Sequence, residues 1–383
     1  MKDVDRDPMD ASGEISRRKF VRVSALAAGG AVLGACGDSP TGPSDLTARV
    51  SAVTGIDLAA MTREVLAPLG GIQSTVRSGE TVFIKPNMVT LPWAEQGNIF
   101  SRGECTKPEI VVAVAEECLR AGAAEVMVGD GSHAPVLPWD KAITFDGSTN
   151  LVAEMARLSA EYGRPASVAS LEVDSPEWVE ITSRTSLGTI LVSSLVANAD
   201  RVISIPVAKT HSSAQLTLSL KNFIGVAPLW RYGDLPNGIP DRGVVFDHSS
   251  PRAIAAIYLD MVRGIQPDLA IVDFSIGIEG NGPNLSHGGR TVDMRDRLGS
   301  YLLLASTDLV AADSTAARIM SHDPERMIQL GMGYAMGLGE MRKDRIELIG
   351  PTLADLRVPW AKAQVGGNAL LARAACPNRP RPV

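Results

Sequence analysis

Aromatic residues are scarce, at 4% of the 383 positions. Surfaces that stack on bases or sugars are built from rings, so such a platform is disfavoured. An excess of basic charge is missing too. Lys and Arg number 37 against 43 Asp and Glu, a formal net charge of −6. The chain therefore has no global attraction for polyanions, and nucleic acid is not an expected partner. Any anion must be held by a local basic cluster. The four cysteines, Cys36, Cys105, Cys118 and Cys376, include no pair at metal-ligand spacing, so no intrinsic iron–sulfur cluster is expected. Nor do they build a disulfide framework. Cys118 lies about ten residues into a helix starting near Pro108, roughly 15 Å along its axis, and Cys105 precedes that start, out of bridging reach. A long hydrophobic run is also lacking: Val23–Ala35 falls short of the ~20 residues that span a bilayer. What remains is an ordinary globular composition, 45% hydrophobic and 21% charged, long enough for one large α/β domain or two smaller ones.

The N-terminus is the sharpest signal. Ser16-Arg17-Arg18-Lys19-Phe20 precedes the weakly apolar stretch to Ala35, a pattern that resembles a twin-arginine signal peptide over residues 1–35. The alternative is a chance arginine pair before a short buried helix. Leu33-Gly34-Ala35-Cys36 resembles a lipobox, in which Cys36 is lipidated and becomes the first mature residue; ordinary cleavage near Ala35 would instead leave a free thiol. Residues 36–48 read as a polar, flexible tether. The expected course is export of the folded chain by the twin-arginine translocase. It would end at an extracytoplasmic location, periplasm or cell envelope, held to the membrane by acyl chains on Cys36.

Along residues 49–350, apolar β-branched runs alternate with helical patterns. Strands are expected over Thr81–Ile84, Glu125–Val128, Arg201–Val207, Leu269–Val272 and Tyr301–Ala305, and helices over Pro108–Arg120, Pro251–Arg263 and Leu309–Met320. This alternation predicts an α/β fold: a mostly parallel sheet with helices on both faces, with residues 134–190 as an inserted irregular subdomain. Residues 351–383 read as a C-terminal extension whose Pro-rich end cannot continue a regular element.

Ligands of open parallel sheets bind beyond the carboxyl ends of the strands. The residues just after the expected strands are Lys85-Pro86-Asn87, Gly129-Asp130-Gly131-Ser132-His133, Lys209-Thr210-His211, and Asp273 followed by Gly277 to Pro283. If the strands are parallel, these groups share one edge. Lys209 and His211, two apart in an extended segment, point to the same side. The ammonium should lower the imidazole pKa and poise His211 as the acid–base group beside Lys209. Lys85, Asn87, Lys221 and Asn222 are expected to grip a carboxylate or phosphate, with Lys221 placed near Thr217 whether 216–225 is strand or helix. Gly280 and Gly282 would let backbone N–H groups approach a ligand, although the loop lacks the Lys-Ser/Thr of a P-loop. Asp130, Asp273, Glu279 and Asp313 can form an oxygen-rich site for a divalent cation; for Asp313 the alternative is an ion pair with one of the lysines. Asp308 reads as an N-cap. Cys105 precedes a helix start where the dipole and Lys107 would lower its pKa.

Taken together, Ile84-Lys85-Pro86-Asn87, Thr106-Lys107-Pro108-Glu109, Val128-Gly129-Asp130, Lys209-Thr210-His211, Leu218-Ser219-Leu220-Lys221-Asn222, Val272-Asp273, Glu279-Gly280-Asn281-Gly282-Pro283 and Ser306-Thr307-Asp308 resemble, in order, the family known as domain of unknown function 362. Many relatives carry a ferredoxin-like cysteine motif, which implies redox chemistry in them. This chain lacks it, so the resemblance implies a redox role only through a separate ferredoxin-like partner. The first reading is an exported enzyme acting on a small anionic ligand. The alternatives are a non-catalytic solute-binding lipoprotein and a redox module that works with an iron–sulfur partner.

Overall fold

The computed structural model describes residues 48–96 and 98–364. Arg17, Arg18, Cys36 and Cys376 lie outside them. The strands are β1 (Ala48–Gly55), β2 (Thr81–Pro86), β3 (Glu125–Asp130), β4 (Ala166–Ser170), β5 (Trp178–Thr182), β6 (Thr189–Ser193) and β7 (Arg201–Ile205). They continue with β8 (Val207–His211), β9 (Gln215–Thr217), β10 (Leu269–Gly280), β11 (Gly289–Asp293), β12 (Tyr301–Ser306) and β13 (Ile346–Ile349). The central sheet has the order β13-β1-β12-β10-β7-β2-β3-β4. Along this path only β12 runs against its neighbours, so the sheet is mostly parallel as expected.

Strand side chains alternate between two cores. Val82, Ile84, Val126, Val128, Ile203 and Ile205 face one. Phe83, Val202, Val272, Leu302 and Leu304 face the other. On the first side pack α1 (Leu58–Leu66), α2 (Pro108–Arg120) and α3 (Leu151–Tyr162). On the second pack α4 (Pro251–Ile265) and α5 (Leu309–Ile319). Helix α2 shows why these segments are helical. Ile110, Val111, Val114, Ala115, Cys118 and Leu119 make one buried stripe, Pro108 occupies the first turn, where its missing N–H costs nothing, and Gly122 at φ +97° ends the run. Cys105 and Cys118 are both buried free thiols.

Residues 134–190 are more regular than expected. They supply α3 and the edge strand β4, and β5 pairs with β6 in a separate two-stranded sheet. The segment after 351 also packs on the domain: Val358 and Trp360 are buried, and their N–H groups donate to Ile319 and Met320.

Two departures shape the site. The strand expected over Arg201–Val207 breaks at Pro206, which has no N–H to give to a ladder, and resumes as β8 through His211. Strand β10 runs on to Gly280, so residues 277–280, the first part of the expected glycine loop, are sheet. It pairs with β7 and then with β8, shifting register between Asp273↔Val207 and Ile278↔Lys209. The glycines there serve backbone packing. A Cβ on Gly277 would strike the Ala208 carbonyl, and one on Gly282 the Thr210 carbonyl.

Lys107 braces this irregularity. Fully buried, it reaches Asp273 at 3.3 Å and the Ile276 carbonyl, and Asp273 also accepts from the N–H groups of Lys107 and Ser275. Breaking a buried pair from one side strands the other charge. Lys107→Met should therefore destabilise the protein by about 3–5 kcal/mol, read from urea unfolding; a loss below about 1 kcal/mol would show that the pair is not a brace.

Candidate functional site

The carboxyl ends of β2, β3 and β8 open into a cleft of about 870 Å³. Its lining includes Lys85, Asn87, Asp130, Lys209, His211, Lys221 and Asn222, so most of the residues picked out from strand ends converge. Asp273, Glu279, Asp313, Gly280 and Gly282 are not part of the lining.

Lys209 is buried, with no carboxylate in ion-pair range among the described residues. Its Nζ donates to Asn87 Oδ1 at 3.1 Å and to the Glu104 carbonyl. Burial lowers its pKa to about 8. A neutral amine has two N–H groups, and these two acceptors use both, leaving the lone pair for the cleft. The amide orientations behind this are forced. The Lys85 carbonyl only accepts, so it takes Asn222 Nδ2 at 2.7 Å. Asn222 Oδ1 then faces Asn87 Nδ2 at 3.4 Å, and Asn87 must turn its oxygen to Lys209. Asn222 is thus a bracket rather than a ligand hand.

Lys221 opens a short 3₁₀ turn after β9, half-buried, and its side chain makes no hydrogen bond or ion pair with any described residue. Burial, and then the charge of Lys209, lower its pKa to about 8. Arg242, which the strand-end argument missed, is buried over the same cleft and donates to the carbonyls of Ala227 and Ser132 at 2.6 and 3.0 Å. Burial brings it down to about 10. It sits in residues 228–250, a segment with no periodicity to read. Four of the five histidines, His133, His211, His248 and His287, border the cleft, a concentration the sequence order conceals.

Several expected roles are corrected. Lys85 is not free to hold a ligand's charge: it pairs with Asp130 at 2.6 Å and donates to the Pro86 carbonyl. Gly280 and Gly282 do not cradle a ligand, because their N–H groups bond to Ala361 and to Gly280. The carboxylates Asp130, Asp273, Glu279 and Asp313 do not assemble a cation site; among the described residues no three acids, histidines or cysteines do. Each is taken by its own partners. Asp130 holds Lys85 and the N–H of Met88. Asp273 holds Lys107, and Glu279 holds Arg290, Arg297 and the N–H of Ala361. Asp313 pairs with no lysine; it accepts from the N–H groups of Ser219 and Leu220 and from the Ser219 hydroxyl. Burial raises the Cys105 thiol rather than lowering it. Asp308 caps α5 as expected.

His211 is corrected in role, not in place. Its Nδ1 accepts from the N–H groups of Ser213 and Ala214 at 3.0 and 3.3 Å. Burial, then the charge of Lys221, push its pKa well below 6.5. Backbone amides only donate, so Nδ1 carries a lone pair and the single proton sits on Nε2. The ring is a fixed neutral donor and not the acid–base group expected from the sequence.

The profile described as Domain of unknown function (DUF362) matches residues 82–318. The chain belongs to the DUF362 family. A relative, a thylakoid-associated protein of a Synechocystis species, is 29% identical over 307 residues, 79% of this DUF362 chain and 78% of that protein. Two solved structures overlap it more loosely, each at 12% identity. The lactate racemase apoprotein from Thermoanaerobacterium thermosaccharolyticum gives a TM-score of 0.37 over 73% of this chain and 58% of that one. A structural-genomics protein from Thermotoga maritima gives 0.39 over 70% and 60%. This DUF362 chain therefore spans less than two thirds of either solved chain.

Asp313 holds the loop that delivers Lys221, and burial raises its carboxyl from 3.8 to about 7. The native state thus holds this proton more tightly than the unfolded chain. The stability so gained is whole below about pH 4, falls as the pH rises, and is gone above about 7. Asp313→Asn does not titrate, so its stability relative to wild type should rise between pH 4 and 8, by on the order of 4 kcal/mol. Parallel urea-unfolding profiles of the two proteins would contradict this.

Proposed function

We propose that this chain is an enzyme whose cleft binds a small organic anion and acts on it with Lys209 as the base. The observation that carries the reading is a set of cations around one cleft that have no carboxylate partner among the described residues, the buried Lys209 and Arg242 and the half-buried Lys221, in a chain of net charge −6. Burying a charge unpaired costs several kcal/mol, a cost that an anionic ligand offsets. Lys221 supplies a mobile ammonium for a carboxylate or phosphate, and Arg242 adds positive potential behind it. Lys209 sits between its two acceptors with the pKa of a group that exchanges protons near neutrality.

The test is thermal unfolding of the full chain titrated with sodium malonate or inorganic phosphate at constant ionic strength, with chloride as control. One anion should raise Tm, and Lys221→Met should weaken its binding about 30-fold or more, the scale of a lost charged partner. The shift should fade above about pH 8, where Lys209 and Lys221 shed their protons. No shift with either anion, or one that survives in Lys221→Met, overturns the reading.

Location is part of the proposal. Arg17-Arg18 and the Leu33–Cys36 lipobox support export through the twin-arginine route and anchoring by acyl chains on Cys36. A relative named for association with thylakoids accords with life at a membrane. No described helix is long and apolar enough to cross one. Cys36→Ala should move the protein from the membrane fraction to the soluble fraction, and replacing Arg17 and Arg18 with Lys should leave the precursor in the cytoplasm. Unchanged fractionation in both variants would remove this part.

A further inference from the structure

Strands β8 and β9 pair antiparallel, with Lys209 opposite Thr217 and His211 opposite Gln215. Residues two apart on a strand share a face, as do residues directly across a ladder. Lys209, His211 and Thr217 therefore project from one side of this hairpin, and all three line the cleft. Two of them have a polar atom without a partner. Thr217 is 3% exposed, and its Oγ1 meets no hydrogen-bonding group among the described residues. His211 is 6% exposed; its Nδ1 is taken by two backbone N–H groups, and its Nε2 proton has no described acceptor. Leaving a buried donor such as the Thr217 hydroxyl unmet costs about 1–3 kcal/mol, and the His211 Nε2–H opens to the same cleft, beside a lysine whose two acceptors leave its lone pair unused.

A fixed neutral imidazole donor and an unpartnered hydroxyl next to a held amine suit one kind of step. A carbonyl oxygen that gains negative charge is stabilised by donors already aimed at it, and a neutral imidazole held by backbone amides is a known form of such an electrophile. We propose that His211 Nε2–H and Thr217 Oγ1–H form an oxyanion hole, and that the anion bound in this cleft is a carbonyl-bearing carboxylate with a hydrogen on the carbon next to the carbonyl. This rests on the anion-binding reading above and narrows it to a substrate class, of which 2-oxo carboxylates are the smallest members.

The step balances within the site. The Lys209 amine takes the proton from the carbon beside the carbonyl. The C–H pair becomes the new C=C bond, and the carbonyl π pair moves onto oxygen. That oxyanion accepts hydrogen bonds from His211 and Thr217, while Lys221 holds the carboxylate. The Lys209 ammonium then returns a proton to carbon. Neither His211 nor Thr217 changes its protonation state.

The experiment follows loss of the C3 proton signal of 2-oxobutyrate in D₂O by NMR, using the full chain, with calorimetric binding of 2-oxobutyrate measured separately. Exchange should run above the protein-free rate and disappear in Lys209→Met. His211→Ala should slow it about 100-fold or more, the usual loss for one oxyanion donor. His211→Gln, whose amide offers an N–H in place of Nε2–H, should keep at least a tenth of the wild-type rate. A His211→Gln variant as slow as His211→Ala overturns the donor role. A mass gain on Lys209 after borohydride reduction would assign exchange to an imine and overturn the oxyanion hole. Binding of malonate or phosphate without exchange of 2-oxobutyrate overturns this inference but leaves the anion site standing; no shift with either malonate or phosphate removes the underlying reading.

Discussion

A buried ammonium is costly unless something receives it, and among the described residues Lys209 is received by two neutral oxygens and no carboxylate. Much of the site is arranged around that condition. Asn87 turns its oxygen toward Lys209 because Asn222 has claimed its amide nitrogen, and Asn222 is oriented by the Lys85 carbonyl. Lys85 is kept in place by Asp130. A carboxylate in the place of Asn87 would hold Lys209 as a permanent cation, useful for ballast and useless as a base. An apolar residue there would leave a donor unmet. The amide is the side chain that lets the lysine be buried and still exchange a proton.

The same logic explains why the acids do not gather. Asp130, Asp273 and Glu279 follow strand ends, Asp313 is a carboxylate set among alanines of a helix, and oxygen-rich clusters of this kind hold cations. In the fold each one ties one segment of the chain to another instead. Asp130 receives the N–H of Met88, next to Asn87. Asp313 receives the N–H groups of Ser219 and Leu220, next to Lys221. Asp273 receives Lys107, which follows the Thr106 hydroxyl that accepts from the N–H of Asn87. The short motifs that mark the family are therefore largely brackets: one residue faces the cleft and its neighbour is clamped.

What could be read in the chain follows from this division. Helix α2 has the expected bounds because its apolar stripe, its Pro108 start and its Gly122 stop all agree. The convergence of Lys85, Lys209, His211 and Lys221 was legible because parallel strands deliver their carboxyl ends to one edge. Pairing was not legible, since nothing local tells Lys85, which has an acid at hand, from Lys209, which has none. Residues 228–250 were silent because a cap without period or strand offers no pattern, although it brings Arg242 and His248. The glycines misled for a related reason. At Gly282 the expected approach is to a ligand, whereas the backbone it packs against is that of Thr210.

Whether His211 acts as donor or base turns on a detail far smaller than the fold. The chain after β8 bends so that Ser213 and Ala214 both aim their N–H groups back at Nδ1. To take up a proton the ring would have to free Nδ1 from those amides and become a cation near Lys209 and Lys221, whose charges already disfavour it. Both changes are unfavourable, so the ring stays neutral. A positive pocket thus selects against a histidine base while favouring a lysine one, because crowding by like charge and loss of water both drive the lysine toward its free amine. Binding an anion and providing a base then have one physical origin: cations buried beyond what the protein's own carboxylates can neutralise.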